Sequence, residues 1–384
     1  MAANPDLLLR YPTIADLAAR AKKRIPFFAW EYLASGTGAE HGVSRNLDAF
    51  ANITMTPQFM RGEFEPNFAT TLFGRQYSAP FGIAPVGLTG LMWPGAEWIL
   101  AEAANRARIP FSLSTVATET PETVGARAGD MGWFQLYPPR DPAVRKDLLQ
   151  RASAAGFTTL LVTADVPAAS QRERQKRAEV SVPPRRTLKT YARAAMCPTW
   201  GLATLQHGLP SFRMLEPYAD GNSMQQISGF VSKNFGGTLS WEYLQAVRQE
   251  WPGEILVKGV LDVHDARRAV AEGMDGIVVS NHGARQLDSA PASISVLPEI
   301  AAAVGDQTTI VLDSGVRGGL DICRALALGA DFVLLGRPFI FAVAALGEQG
   351  GDHLIELLRA DLHSCMANLG CETLAELASR INPA

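Results

Sequence analysis

The segment Ser280-Asn281-His282-Gly283-Ala284-Arg285-Gln286-Leu287-Asp288 sets a histidine and an arginine three residues apart, directly after the apolar run Gly276–Val279. If that run is a buried strand, both side chains leave the same rigid end. Histidine is the side chain whose unperturbed charge change falls between about pH 5 and pH 8, and arginine is a permanent planar fork for a carboxylate. Together they suit removal of a proton from a substrate gripped by its carboxylate. A capped strand with a solvated arginine and a hydrogen-bonded histidine would account for an isolated His-x-x-Arg, so the weight rests on what accompanies the pair.

Two glycine-arginine clusters accompany it, Asp313-Ser314-Gly315-Val316-Arg317-Gly318-Gly319 and Gly336-Arg337, each following an apolar run. Glycines let a backbone approach an anion closely, and arginines add charge-assisted bonds. Ordinary turns would explain the glycines alone; with the arginines the clusters point to a phosphate-bearing ligand. Lys258 ends the apolar run 255–257, where a buried ammonium needs an acceptor. A carboxylate such as Asp313 is one candidate. A flavin ring is another, because a cation beside N1 and O2 stabilises the negative charge that appears there on reduction.

Positioning these groups requires a regular frame. Short aliphatic runs, each ending in Gly or a polar residue, occur at 81–85, 111–115, 133–137, 160–165, 255–258, 276–280, 310–313 and 332–336, with amphipathic stretches at 98–108, 142–155, 263–272 and 319–328 between them. That alternation predicts an α/β (β/α)8 TIM barrel. Gln135, Tyr137, Thr163, Asp165, Lys258, Ser280, His282, Arg285, Asp313 and Arg317 would then converge on one mouth. An open doubly wound sheet fits the same alternation, but no Gly-x-Gly-x-x-Gly follows the first strand. The expected organisation is a single domain over residues 1–384: a helical lead-in to about residue 75, a barrel over about 76–350 and a helical tail over about 353–381. The connection between Asp165 and residue 255 is far longer than a crossover needs, so an insertion or lid over about 178–240 sits after strand four. It contains Pro183-Pro184-Arg185-Arg186, Lys189, Tyr191, Arg193, Met196, Trp200, Leu202, Leu205, Leu209 and Phe212. A basic and apolar stretch over about 185–212 is either a lid packed on the barrel or a peripheral membrane contact.

The 384 residues are 47% hydrophobic and carry a net charge of -3, which gives a large core and no basic footprint for nucleic acid. Four cysteines, Cys197, Cys323, Cys365 and Cys371, show no CxxC or metal-ligand spacing, so no metal is expected and a reduced compartment is. The first residues lack the pattern of a signal peptide, and the apolar stretch 332–346 is interrupted by Arg337-Pro338. The expected location is cytoplasmic, with the insertion able to reach the inner face of the cell membrane.

The motif 280–288, with Lys258 and the two glycine-arginine clusters, resembles the FMN-dependent L-2-hydroxy acid oxidases and dehydrogenases, from about Tyr11 to the end. The resemblance implies oxidation of an L-2-hydroxy acid to the 2-oxo acid, with FMN taking the electrons at N5 and passing them to a quinone or O2. It implies that His282 is the base, paired with Asp165. Arg285 and Arg172 would bind the substrate carboxylate with Tyr32 and Tyr137, and Arg174 would be a further anion contact. For the cofactor it implies Pro85, Val86, Gly87, Ser114, Gln135, Thr163, Lys258 and Ser280 along ring and ribityl chain. Asp313, Ser314, Gly315, Val316, Arg317, Gly336 and Arg337 would hold the phosphate. Val116 stands where glycolate-specific members tend to carry Trp, which implies a substrate larger than glycolate, of L-lactate or mandelate type. Ser314 replaces a glycine of many members. A homotetramer is also implied. The alternative, resting on the phosphate clusters alone, is a flavin-dependent barrel isomerase without net redox.

Overall fold

The computed structural model describes residues 5–180, 187–219, 224–235 and 239–381. Eight parallel strands close into a barrel in chain order: β1 (Phe81–Ile83), β2 (Phe111–Ser114), β3 (Gly132–Leu136), β4 (Thr159–Thr163), β5 (Glu254–Val260), β6 (Gly276–Val279), β7 (Thr309–Leu312) and β8 (Phe332–Leu335). β8 pairs back onto β1, Val333 opposite Phe81, so closure excludes the doubly wound sheet. Helices Ala96–Ala107, Pro142–Ala154, Val263–Ala271 and Gly319–Ala327 fall where the amphipathic stretches predict them.

Side chains along each strand alternate between two cores. Trp133, Leu161, Leu256, Val278, Val311, Phe332 and Leu334 pack inside the barrel, while Phe134, Leu160, Ile277, Ile310 and Val333 pack against the helical shell. Two residues beyond the inner set stand Gln135, Thr163, Lys258, Ser280 and Asp313, all buried. The period of two therefore lifts a polar layer to the carboxyl-end mouth, directly above an apolar plug.

The lead-in departs from the helical expectation. Helices Pro5–Arg10, Ile14–Arg24, Phe27–Ala34 and His41–Ala51 are present, the second opened by a Thr13–Asp16 capping box. Residues 52–69 are irregular, and a hairpin of Thr70–Leu72 and Arg75–Tyr77 follows. Its Leu72 and Tyr77 join the inner core, with Trp133 Nε1 donating to the Tyr77 hydroxyl at 3.1 Å. Thr71 and Gln76, paired across the hairpin and exposed, keep it polar outside while Leu72 and Tyr77 face the barrel floor, a pattern too short to stand out in sequence. The tail is helix Gly350–Leu369 and a 3-10 segment Leu374–Arg380.

Between β4 and β5 lie helices Glu173–Arg177, Leu188–Ala195, Pro198–His207 and Met224–Asn234, a 3-10 segment Arg213–Tyr218, and the crossover helix Trp241–Glu250. Trp200 is buried and donates to the Leu91 carbonyl at 3.1 Å, which seats the insertion on the barrel mouth. Pro183, Pro184, Arg185 and Arg186 lie outside the described residues. No described helix is long and apolar enough to cross a membrane.

Candidate active site

A cavity of about 630 Å³ opens at the carboxyl ends of the strands. His282 enters it from the turn after β6, in the left-handed region at φ 56°. A non-glycine residue there is strained, and strain of this kind is retained where a side chain must be aimed. Its Nδ1 lies 3.0 Å from Asp165 Oδ1, and its Nε2 lies 3.2 Å from the Tyr137 hydroxyl. With Asp165 accepting from Nδ1–H, Nε2 is the basic nitrogen and faces the cavity side. Burial, the largest single influence, acts to raise the Asp165 carboxyl. The charge and hydrogen bond of His282 and the charge of Lys258 together hold it below its usual value. Burial, followed by the Asp165 charge, raises the Tyr137 phenol far above its ordinary value, which keeps it a neutral donor.

Asp165 reaches this position through a bulge in β5 between Lys258 and Val260. Gly259 occupies the bulge at φ +105°, and a Cβ there would stand 2.5 Å from Asp165 Cβ, so no side chain fits. Asp165 Oδ2 is buried without a hydrogen-bond partner among the described residues.

Arg285, on the same turn as His282, stacks over the Tyr32 ring with its guanidinium carbon 4.9 Å from the centroid. Among the described residues it has no ion pair. Burial, then the neighbouring Arg172, depresses it to about 10. Arg172 is tethered to Ser170 Oγ and Gln286 Oε1, each at 2.9 Å. Two guanidiniums that repel one another and have no carboxylate among the described residues form a site for an anion.

The opposite end of the cavity is built similarly. Among the described residues Arg337 donates only to backbone carbonyls, those of Leu33, Ser35 and Gly283, and burial, Arg285 and Arg317 depress it to about 9. Arg317 is depressed to about 10 by burial, partly offset by Asp321. Helix Arg337–Leu346 begins here with Gly336 as its cap, so its amino terminus adds to the positive field. Ser314 sits at φ 76°, where glycine is at ease; its hydroxyl donates to Asp313 Oδ1 at 2.8 Å and accepts from Gly283 N at 2.9 Å, which holds a serine in a strained backbone.

Pro85, Val86, Gly87, Val116, Gln135, Thr163, Lys258, Gly315, Val316 and Gly336 also line the cavity. Three expected contacts, Ser114, Ser280 and Arg174, stand outside the cavity lining, and a fourth, Asp313, lines it with its carboxylate already paired. Ser114 lies behind Gln135, donating to its Oε1 at 2.7 Å, and Gln135 in turn donates to Thr163 Oγ1 at 2.8 Å. Ser280 lies behind Lys258 and accepts from its ammonium at 2.9 Å. Asp313 pairs with Lys258 at 2.7 Å, so its carboxylate holds the ammonium in place and does not turn to a phosphate. Arg174 is outside the cavity lining: Glu31 takes two of its hydrogen bonds, at 2.7 and 2.8 Å, and Glu40 a third at 2.8 Å. Substrate cannot compete with two carboxylates already seated. Sequence reasoning missed Arg140, Phe212, Val231 and Phe235, which form the outer wall; the last three come from the insertion, where nothing in local pattern says which apolar residue turns inward.

The residues present fit FMN. Arg317, Arg337, Gly336 and a helix amino terminus supply a dianion site at one end. Gln135, Thr163 and Lys258 supply hydrogen-bonding groups over the mouth, and a Cβ at Gly87 would meet Val116 Cγ2 at 2.7 Å, so the backbone there faces the cavity bare.

The comparisons agree with this reading. The model of the FMN-dependent dehydrogenase family matches residues 21–382. An L-lactate dehydrogenase of Alcaligenes faecalis is 38% identical over 370 residues, covering 95% of this chain and 97% of that one. One of Azorhizobium caulinodans is 39% identical, covering 94% and 96%. Among solved structures, (S)-mandelate dehydrogenase, described as a monotopic membrane protein, superimposes with a TM-score of 0.92 at 34% identity over 97% of this chain and 99% of that one. Mandelate oxidase gives 0.83 at 33%, covering 97% and 98%. The chain belongs to the FMN-dependent dehydrogenase family.

Proposed function

We propose that the protein oxidises an L-2-hydroxy acid with an apolar side chain to its 2-oxo acid, and that His282 is the base. The observation that carries this reading is the Asp165–His282–Tyr137 line of hydrogen bonds ending beside Arg285 and Arg172. The arginines grip the substrate carboxylate and remove its orientational freedom before the chemical step. His282 Nε2 takes a proton, and Asp165 at Nδ1 stabilises the imidazolium that results. Tyr137 and Tyr32 donate to the carboxylate or the C2 oxygen. FMN, when bound, supplies the acceptor for the two electrons. Lys258, held by Asp313 and Ser280, presents an ammonium donor at the mouth.

Phe212, Val231, Phe235 and Val116 favour a substrate side chain of mandelate's kind over lactate's methyl, because a small group leaves that wall wet. The wall is braced from behind. Phe235 meets Phe230 edge-on at 6.2 Å, Phe230 stacks on Tyr218 at 6.4 Å, and Arg140 N donates to the Asn234 carbonyl at 2.8 Å. The test is anaerobic titration of the yellow holoprotein with (S)-mandelate and L-lactate. Bleaching by both, with mandelate giving the larger kcat/KM, is expected; a flavin bleached by neither removes the reading.

One observation favours a membrane-borne quinone over O2 as the final acceptor. Leu188, Met196, Leu202, Leu205 and Leu209 expose between 51% and 90% of their surface on or just after two successive helices of the insertion, and clustered exposed apolar residues mark a contact surface. Stopped-flow oxidation of reduced enzyme should be faster with a soluble quinone than with O2. Wild type should sediment with liposomes and a Leu202→Ser/Leu205→Ser/Leu209→Ser variant should not. A homotetramer predicts a light-scattering mass near four chains.

A further inference from the structure

Arg174 has no place in the cavity lining, yet it makes three hydrogen bonds to carboxylates where Arg172 and Arg285 have no ion pair among the described residues. Its guanidinium joins Glu31, a buried carboxylate on helix Phe27–Ala34, to Glu40, at the end of the strap that follows. The same stretch, residues 31–42, contacts the segments that carry Arg172, Arg285 and Arg337. Arg172 N donates to Thr37 Oγ1 at 3.3 Å, and Gly38 N donates to Glu173 Oε2 at 2.9 Å. Gln175 Nε2 donates to Ser35 Oγ at 3.0 Å. Thr37 N donates to the carbonyl of Ala284, the residue before Arg285, at 3.1 Å, and Gly42 N donates to Asp288 Oδ1 at 2.7 Å. Arg337 donates to the carbonyls of Leu33 and Ser35. Tyr32, the ring under Arg285, is Glu31's neighbour in sequence.

The arrangement answers a physical problem. Arg172 and Arg285 are like charges held side by side, and Arg172 is further strained at φ 43°. Left to itself, Arg172 would swing into solvent. Two carboxylates on one guanidinium leave the triad with a net negative charge two residues along the chain from Arg172, which offsets that repulsion. The bidentate Glu31 contact also fixes orientation as well as distance, since both carboxylate oxygens are engaged. Burial works against the charged guanidinium, but the Glu31 hydrogen bonds outweigh it and raise Arg174 above its ordinary value.

We propose that Glu31, Arg174 and Glu40 are positioning residues that hold Arg172 and Tyr32 as the carboxylate-binding edge and tie that edge, through the strap, to Arg337 at the phosphate end. The inference rests on the function proposed above and adds residues that never touch substrate. Its test is titration of the flavin holoprotein with oxalate, a dicarboxylate that probes the clamp without turnover, followed by the flavin absorbance, beside KM and kcat for (S)-mandelate. Arg174→Ala is expected to raise the oxalate Kd and KM together by 10-fold or more while kcat changes less than threefold. Arg174→Lys, which can satisfy one carboxylate, should recover part of that loss. A protein merely loosened would lose melting temperature and kcat together with KM unmoved, and that outcome overturns the proposal, as does an oxalate Kd within twofold of wild type. If Arg174→Ala does not fold, Glu40→Gln removes a single arm and is expected to weaken oxalate about threefold; no change there is equally fatal. Wild-type holoprotein that neither binds oxalate nor oxidises mandelate sinks the functional reading itself, an outcome distinct from a clamp that works without Arg174.

Discussion

The half of the cavity built by strand ends and the half built by the insertion are made by different physics. At the strand ends every polar group is aimed by another: Ser114 behind Gln135, Ser280 and Asp313 behind Lys258, Asp165 behind His282. The insertion contributes apolar side chains, Phe212, Val231 and Phe235, the last braced from outside by Phe230. Hydrogen bonds fix where a proton or charge sits to within tenths of an ångström, whereas apolar packing fixes volume. On the function proposed above, the first half sets the reaction and the second sets which acid undergoes it, and variants in the two halves should fail in different ways.

The sharpest way to break that division is His282→Gln. It should lower kcat by about 10²- to 10⁴-fold, the usual contribution of a positioned base, while the flavin spectrum and oxalate binding persist. A variant that instead lost the flavin would show that the strand-end half is structural rather than chemical. Arg285→Met comes next. Removing one side of a buried charge pair costs about 2–5 kcal/mol, so kcat/KM should fall by roughly 30-fold or more, read largely in KM because the carboxylate is gripped before and during the chemical step. Phe235→Ala should act on choice alone: one side-chain-sized change in an apolar pocket is worth about 1–3 kcal/mol. The ratio of kcat/KM for mandelate over lactate should drop by about tenfold, with kcat for lactate nearly unchanged. Equal losses on both acids would mean that the wall supports the catalytic half after all.

The two halves also differ in how far the sequence discloses them. Strand and helix positions follow from short runs punctuated by Gly and polar residues, and the polar layer follows from counting two residues past each inward apolar side chain. His282, Arg285, Arg317 and Arg337 sit on the turns after β6, β7 and β8, so local pattern places them at the mouth. What pattern does not carry is pairing across the chain. Glu31 and Glu40 claim Arg174 from more than a hundred residues away, and Asp313 turns to Lys258 rather than to an anion. A residue type that could bind substrate is consumed instead by a partner that only tertiary structure supplies. The outer wall was hidden for another reason: in a segment apolar on two sides, periodicity cannot tell the face toward the cavity from the face toward solvent.

The smallest effect expected is on pH dependence of stability, and it isolates the strand-end half. Asp165 is held below its unfolded value by His282 and Lys258 against the opposing effect of burial, so its contribution is present above the unfolded carboxyl pKa and disappears as pH falls through the lower folded one. Lys258 runs the other way: burial lowers it, but Asp313 and Asp165 outweigh burial and raise it. Its contribution is complete below the unfolded lysine pKa of about 10.4 and is lost only as pH rises beyond that. Between these limits neither group changes its proton count relative to the unfolded chain, so the pair predicts no slope at neutral pH. The gap in melting temperature between wild type and Asp165→Asn should close below about pH 4, where the wild-type carboxylate takes up its proton. A gap that stays constant into acid would mean that Asp165 is already protonated in the folded protein, and the hydrogen bond to His282 would then be no support for a charged imidazolium.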